Sequence, residues 1–315
     1  MSFRNDTRYA DAVAAVKVLE GGLLTHSDME QLIAAPGKEE MLSLLRSKKG
    51  SDDPLSLQSV WELIHGYAPE CEELSVLLYK NDFHDLKAAL KALIAGKEPE
   101  RYYIRPTNLD LTELSVLISH KDFEDLPELI RGTAEEAYEL LTRTLDGQLA
   151  DSFIDAAALR AILSGAENGS ELIRRYAQLT AVCADIKTAY RCALMRKPAS
   201  FLELAIAGSP GLGRDDLISA SLAGTESLFE FLSVTEYAEG AEQLKRSSAM
   251  YEKWCDDLIM DLAEEARLGS FGPEPLEAYY IAAETELKNL RILSVCKEFG
   301  ADRSTITERM RRIYG

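Results

Sequence analysis

The sequence predicts an all-α fold built from three similar helical units. Three observations lead there. Apolar residues recur at helical spacing along most of the chain, and no stretch alternates apolar and polar residues as a half-buried strand would. One helical segment also occurs three times, and a recurrence of that kind organises everything around it. HDLKAALKALIAGK (84–97) returns as ADIKTAYRCALMRK (184–197) and, more degraded, as KNLRILSVCKEFG (288–300). Lys187 follows Lys87 by 100 positions, and Arg291 follows Lys187 by 104. Two residues earlier in each copy stands an Asp or Asn (Asp85, Asp185, Asn289), with Leu86, Ile186 or Leu290 between.

A second motif recurs in the same order. LLTHSDMEQLIAAPGKEEMLSLL (23–45) resembles ISHKDFEDLPELIRGTAEEAYELL (118–141) and LGRDDLISASLAGTESLFEFL (212–232), which sets Asp28, Asp122 and Asp216 at intervals of 94. Each Asp is expected near a helix N-terminus, where a carboxylate accepts backbone N–H bonds. Gly37, Gly132 and Gly224 are expected to end those helices at positive φ. Each unit then holds two short helices and one long one. The units are 1–97, 98–197 and 198–315, the last with a basic C-terminal helix.

Taken in order, the first helix is expected over 8–20, with Tyr9, Val13, Val16 and Leu19 on one face and Gly21-Gly22 as its end. After the first short pair, KKGSDDPLS (48–56) is a polar loop broken by Pro54. A helix over 57–66 carries Trp61, and Pro69 opens the first long helix, to about residue 96. KEPERYYIRPTN (97–108) is an extended connection with two prolines. Helices follow over 112–119, around Pro127 within its first turn, over 134–151 and continuing over 152–164. AENGS (166–170) interrupts, and the second long helix covers 171–195. RKPAS (196–200) is the second connection, followed by a short helix over 201–207. AGSPGLGRDD (207–216) is the richest Gly/Pro loop. The third short pair lies within 215–239, a helix with Trp254 covers 242–268, and GSFGPEP (269–275) turns into the third long helix over 276–299. A terminal helix covers 305–313.

The totals narrow the function. A chain of 315 residues can bury a large core. With 53 acidic against 35 basic residues its net charge is −18, which opposes a nucleic-acid groove and insertion into anionic lipid. No apolar run approaches the roughly 18 residues of a spanning helix, and the N-terminal stretch lacks a signal-peptide pattern. The five cysteines (Cys71, Cys183, Cys192, Cys255, Cys296) are widely spaced without CxxC, so they read as reduced, mostly buried thiols.

Little points to chemistry. GSPGLGRDD is Gly-rich before a helix, as a phosphate cradle is, but it has no Lys-Ser/Thr and no preceding strand, so it reads as a structural loop. Glu62 and His65 form a single Glu-x-x-His, whereas a di-iron bundle needs two. Asp82, His84 and Asp85 splay around a helix instead of converging. No GxSxG or cysteine-protease signature occurs. No catalytic, cofactor or metal residues are therefore assigned.

Residues i and i+2 of a helix face about 200° apart, so Asp85 does not pair with Lys87. The three Asp/Asn–Lys/Arg pairs either join the units through polar contacts or line a shared axis that a partner touches. On the second reading Asp85, Lys87, Asp185, Lys187, Asn289 and Arg291 are interface candidates. Arg303, Arg309, Arg311 and Arg312 form a basic cluster in an acidic chain. Arg309, Arg311 and Arg312 either complement the negative end of the last helix or belong to a docking surface.

Several segments resemble one family: the opening YADAVAAVKVLEGGLLT, the element NDFHDLKAALKA, and above all GPEPLEAYYIAAETELKNLRIL with its Glu-x-Glu-x-Lys-Asn-x-Arg. The chain is similar to the C subunit of bacterial and archaeal V/A-type ATPases, and to the d subunit of eukaryotic V-ATPases, from Tyr9 to Tyr314. Phe83, His84, Asp85, Leu86 and Lys87 match the first motif. Glu284, Glu286, Lys288, Asn289 and Arg291 match the third. The departures are Lys17 in place of a common Arg, Cys296 in place of a small residue, and an end, KEFGADRSTITERMRRIYG, without the usual Leu-Pro turn.

The resemblance implies a funnel of three helical units about a pseudo-threefold axis. It implies a non-catalytic central-stalk subunit at the cytoplasmic face of the membrane, with the central-stalk subunits and the rotor ring as partners, serving proton or sodium transport. It implies no ATP site, cofactor or ion path. A helical-repeat scaffold of another complex and a carboxylate metalloenzyme are the alternatives.

Overall fold

The structure, a computed structural model, describes residues 7–50, 56–69 and 72–314, and every regular element among them is helical. After a 3-10 turn (Thr7–Tyr9) come α1 (Ala10–Glu20), α2 (His26–Ala34), α3 (Lys38–Lys49), α4 (Gln58–Tyr67) and α5 (Glu72–Ser75). The middle of the chain forms α6 (Tyr79–Ala95), α7 (Leu111–His120), α8 (Glu128–Thr144), α9 (Gly147–Gly165), α10 (Glu171–Met195) and α11 (Ala199–Ala205). The remainder forms α12 (Arg214–Ala223), α13 (Thr225–Ser233), α14 (Ala238–Arg246), α15 (Ser248–Ala266), α16 (Glu274–Glu298) and α17 (Arg303–Arg309).

Where the elements differ from expectation, local capping gives the reason. The first long helix is interrupted by a 3-10 turn at Val76–Leu78. The helix expected over 134–164 is two, because Leu145 turns left-handed (φ 55°) and Asp146 caps α9 by accepting from Gln148 and Leu149 N–H. The helix expected over 242–268 begins later, because Ser247 caps α15 with a bond from Met250 N–H. Pro127 precedes α8 as its N-cap. Gly224 (φ 116°) does end α12, but Gly37 is extended (φ −146°) and caps α3, while Gly132 lies inside α8. The connection 97–108 holds a short 3-10 turn, Glu100–Tyr102. Pro54 and Cys71 lie outside the described residues.

The chain packs as two units. The first comprises Met1–Cys71, Ser170–Tyr176 and Glu239–Gly315. At its centre is α16, which packs against α1, α3, α4, α15 and α17. Every residue of 274–283 is buried, as befits a helix surrounded on all sides. Glu277 is fully buried there and accepts a hydrogen bond from the Ser170 hydroxyl at 2.6 Å. Trp61 meets Tyr280 edge-on with ring centroids 5.4 Å apart. Toward its C-terminal end α16 contributes Leu290, Leu293 and Cys296 to a core with Met29, Leu32 and Leu45.

The second unit comprises Glu72–Gly169 and Ala177–Ala238, so α10 gives its first residues to one unit and the rest to the other. Here α9 packs against α6, α8 and α11. The core joins Phe83, Leu86 and Leu90 of α6 to Phe153 and Ile154 of α9 and Ile130 of α8. Gly165 lets α9 approach closely, since a Cβ there would stand 2.7 Å from the Tyr79 ring.

Candidate functional site

The three recurring segments end alike and fold back alike. At each C-terminus one residue takes the left-handed conformation: Gly96 (φ 60°), Arg196 (φ 51°) and Gly300 (φ 65°). The next N–H then reaches back to a carbonyl: Lys97 to Ala92 at 2.9 Å, Lys197 to Cys192 at 3.0 Å and Ala301 to Cys296 at 2.9 Å. This is the Schellman arrangement. Residues 96, 196 and 300 keep the intervals at which Lys87, Lys187 and Arg291 recur.

Beyond each cap the chain returns to the Asp or Asn that begins the motif. Asp85 accepts from Ile104 N–H at 2.8 Å. Asp185 accepts from the N–H groups of Ala207 (2.8 Å) and Gly208 (3.0 Å) and from the Ser209 hydroxyl (2.8 Å). Asn289 accepts from Arg311 N–H at 2.8 Å and donates to the Arg311 carbonyl at 3.1 Å. All three side chains are buried, at 0–1 % exposure. Asp85, Asp185 and Asn289 therefore act as latches within the chain and present no surface to a partner. Burial pushes the carboxyl of Asp185 up, against the pull of its three donors.

The cations two residues on go elsewhere. Lys87 is ion-paired with Asp155, and one turn later Lys91 pairs with Asp151 at 2.9 Å, which ties α6 to α9. Lys187 is partly buried, and Arg291 is exposed. In the C-terminal cluster, Arg311 pairs with Asp256 at 2.8 Å, and Arg312 pairs with Asp261 and, at 2.9 Å, with Glu264. Arg312 N–H also donates to Asp257 at 2.8 Å. Arg303 pairs with Glu30, whereas Arg309 is exposed. The last helix ends at Arg309. Arg311 and Arg312 both serve an acidic face of α15, and Arg311 also donates to the C-terminal carbonyl of Arg309 at 2.7 Å.

Residues 12–309 match the family described as ATP synthase (C/AC39) subunit. The chain belongs to that family, which comprises the C subunits of V/A-type ATPases. It is also similar to the C subunit of the V-type sodium ATPase of Enterococcus hirae, 28 % identical over 256 residues that cover 78 % of this chain and 77 % of that protein. Among the described residues no helix is long and apolar enough to cross a membrane.

Two residues of the third motif tie the first unit together. Glu286 accepts from Leu24 N–H and is ion-paired with Lys49, fixing the turn between α1 and α2. Lys288 pairs with Asp256 at 2.7 Å beside Arg311. Lys17 donates to the Arg267 carbonyl at 2.6 Å, and Cys296 supplies the carbonyl that closes the third Schellman cap.

The Gly-rich loop 207–216 does close around an acidic group, and that group is the Asp185 carboxyl: the N–H groups of Ala207 and Gly208 are committed to it. His84 faces the Tyr102 carbonyl at 3.1 Å while Asp82 and Asp85 are buried. Cys183, Cys192, Cys255 and Cys296 are buried and form no disulfide among the described residues. Asp82, a poor metal ligand by its spacing, is a second latch that holds Thr107 and Asn108. The acidic face of α15 is legible in the sequence only as composition, since nothing local says that a C-terminal run of arginines will lie on it.

Proposed function

We propose that this protein couples the rotating central stalk of its ATPase to the membrane rotor ring and performs no chemistry of its own. The observation that carries the reading is the family match, which runs almost from end to end. In the proposed arrangement, units 1–97, 98–197 and 198–315 close about a common axis into a funnel at the cytoplasmic face. The stalk seats in the funnel and the ring loops lie beneath it. The ion, proton or sodium, is selected by the ring.

Two physical features support a mechanical role. Torque transmission needs a body that does not yield, and the polar groups that open the recurring motifs are bound inside the chain instead of facing a cleft. The net charge of −18 suits a ring whose exposed loops are basic.

Purification of the tagged full-length chain from native membranes tests the proposal. Stalk and ring subunits are expected in the same particle. Recovery with an unrelated set of proteins would favour the helical-repeat scaffold. Binding to isolated ring that does not weaken with salt would remove the electrostatic part.

A further inference from the structure

The first latch differs from the other two. Asp85 is fully buried, and one oxygen accepts from Ile104 N–H, but its Oδ2 makes no hydrogen bond. One turn earlier, Asp82 is also fully buried. Its carboxyl takes the Thr107 hydroxyl at 2.6 Å, Asn108 N–H at 2.8 Å and Asn108 Nδ2 at 2.7 Å. The pair is thus served unequally. One carboxyl has three donors and the other has one.

A buried carboxylate oxygen without a donor is costly, and a second carboxylate nearby adds to the cost. A proton on Asp85 removes both problems. The acid then needs an acceptor. The Thr107 hydroxyl has given its only proton to Asp82 and keeps a lone pair; it also influences the Asp85 carboxyl, although no hydrogen bond joins it to Asp85 Oδ2 in this structure. The repeat supplies an independent argument. At the equivalent position of the third unit the residue is Asn289, a neutral group of the same shape, and it latches Arg311 in the same way. At the second, where the residue is Asp185, three donors stand ready for a charge.

We propose that Asp85 is held as a neutral acid near neutral pH, so that its latch on the 97–108 connection is operated by a proton. Burial is the main force raising its carboxyl to about 7, helped by Asp82 and opposed by Ile104 N–H, Thr107 and the exposed Arg105. Tyr103 also feels Asp85, together with Glu100. Losing the proton puts a negative charge with an undonated oxygen beside Asp82, whose own carboxyl is also pushed up by burial, and loosens the hold on Ile104. The proposal concerns this chain alone and stands or falls independently of the coupling role.

The test uses the full chain labelled with 15N-isoleucine, with Ile104 assigned through Ile104→Val. The Ile104 amide resonance is expected to titrate near neutrality. Its protection from hydrogen exchange, corrected for the intrinsic rate, is expected to fall about tenfold per pH unit between roughly pH 4 and 7. In Asp85→Asn the protection should be level across that window. A flat Ile104 resonance from pH 5 to 8 would overturn the proposal, and so would the same fall in Asp85→Asn. Should the variant not fold, the wild-type titration decides.

Discussion

Asn289 grips Arg311 by both edges of its carboxamide, accepting from the backbone N–H at 2.8 Å and donating to the carbonyl at 3.1 Å. The side chain is wholly buried in α16, so neither group on Arg311 has water as an easy substitute. The grip sets where the C-terminal residues run. It places the Arg311 guanidinium against Asp256 and lets Arg312 reach Asp261 and Glu264.

Asn289→Asp is therefore expected to destabilise the protein by about 2–4 kcal/mol, because it replaces a donor with a buried charge that faces a carbonyl. A shift in the denaturant midpoint measures it. An unchanged midpoint would show that the tail does not depend on this contact.

The three latch positions should respond differently to one chemical change. Asp185 serves three donors, and an amide in its place keeps one oxygen and turns an NH2 toward N–H groups. Asp185→Asn should cost about 2 kcal/mol. Asp85→Asn should instead gain stability at pH 7, because the wild-type acid ionises on unfolding and the amide does not. Chemical denaturation of both variants at one pH makes the comparison. Equal losses would mean that the latches are alike and that their donor counts do not matter.

The recurrence that reveals these latches is legible in the sequence, and so is the helical class, because both depend on local spacing. The long helix Glu171–Met195 falls where the apolar spacing puts it. What the sequence does not disclose is which way Asp85, Asp185 and Asn289 face. A polar residue on a helix looks the same whether it meets solvent or a returning backbone, and the returning segments lie 19 to 24 residues away. The breaks at Leu145 and Ser247 escape sequence reasoning for a related reason. A capping Asp or Ser outweighs continuous helix propensity only when its oxygen finds the N–H groups of the next turn.

Helix α2 carries a titration with the opposite sign to that of Asp85. Thr25 and Asp28 form a capping box, with Asp28 N–H on the Thr25 hydroxyl and Thr25 N–H on the Asp28 carboxylate. Lys48 adds an ion pair at 2.5 Å. Lys48 first, then the Thr25 hydroxyl and N–H, hold the Asp28 carboxyl well below the usual carboxylate range. The folded form then binds its proton more weakly than the unfolded chain. The stabilisation is present above the ordinary carboxylate pKa of about 4 and is lost as pH falls below it. Wild type should lose more stability between pH 5 and 3 than Asp28→Asn does, as read from thermal midpoints. Parallel curves would exclude Asp28 as the source.

Arg196 offers the last prediction, and the repeat itself provides the controls. The residue sits at φ 51° in the second Schellman cap, where the first and third caps have Gly96 and Gly300. A side chain in this region costs about 1–2 kcal/mol, while glycine costs about 0.5–1 kcal/mol in unfolded-chain entropy. Arg196→Gly should therefore stabilise the protein by about 0.5–1 kcal/mol. Gly96→Ala and Gly300→Ala should lose a similar amount. A Cβ at either position meets nothing within 4 Å, so the loss reports backbone conformation alone. Thermal midpoints of the three variants decide the matter. A destabilised Arg196→Gly beside destabilised alanine variants would mean that the Arg196 side chain does more at this helix end than its backbone strain costs.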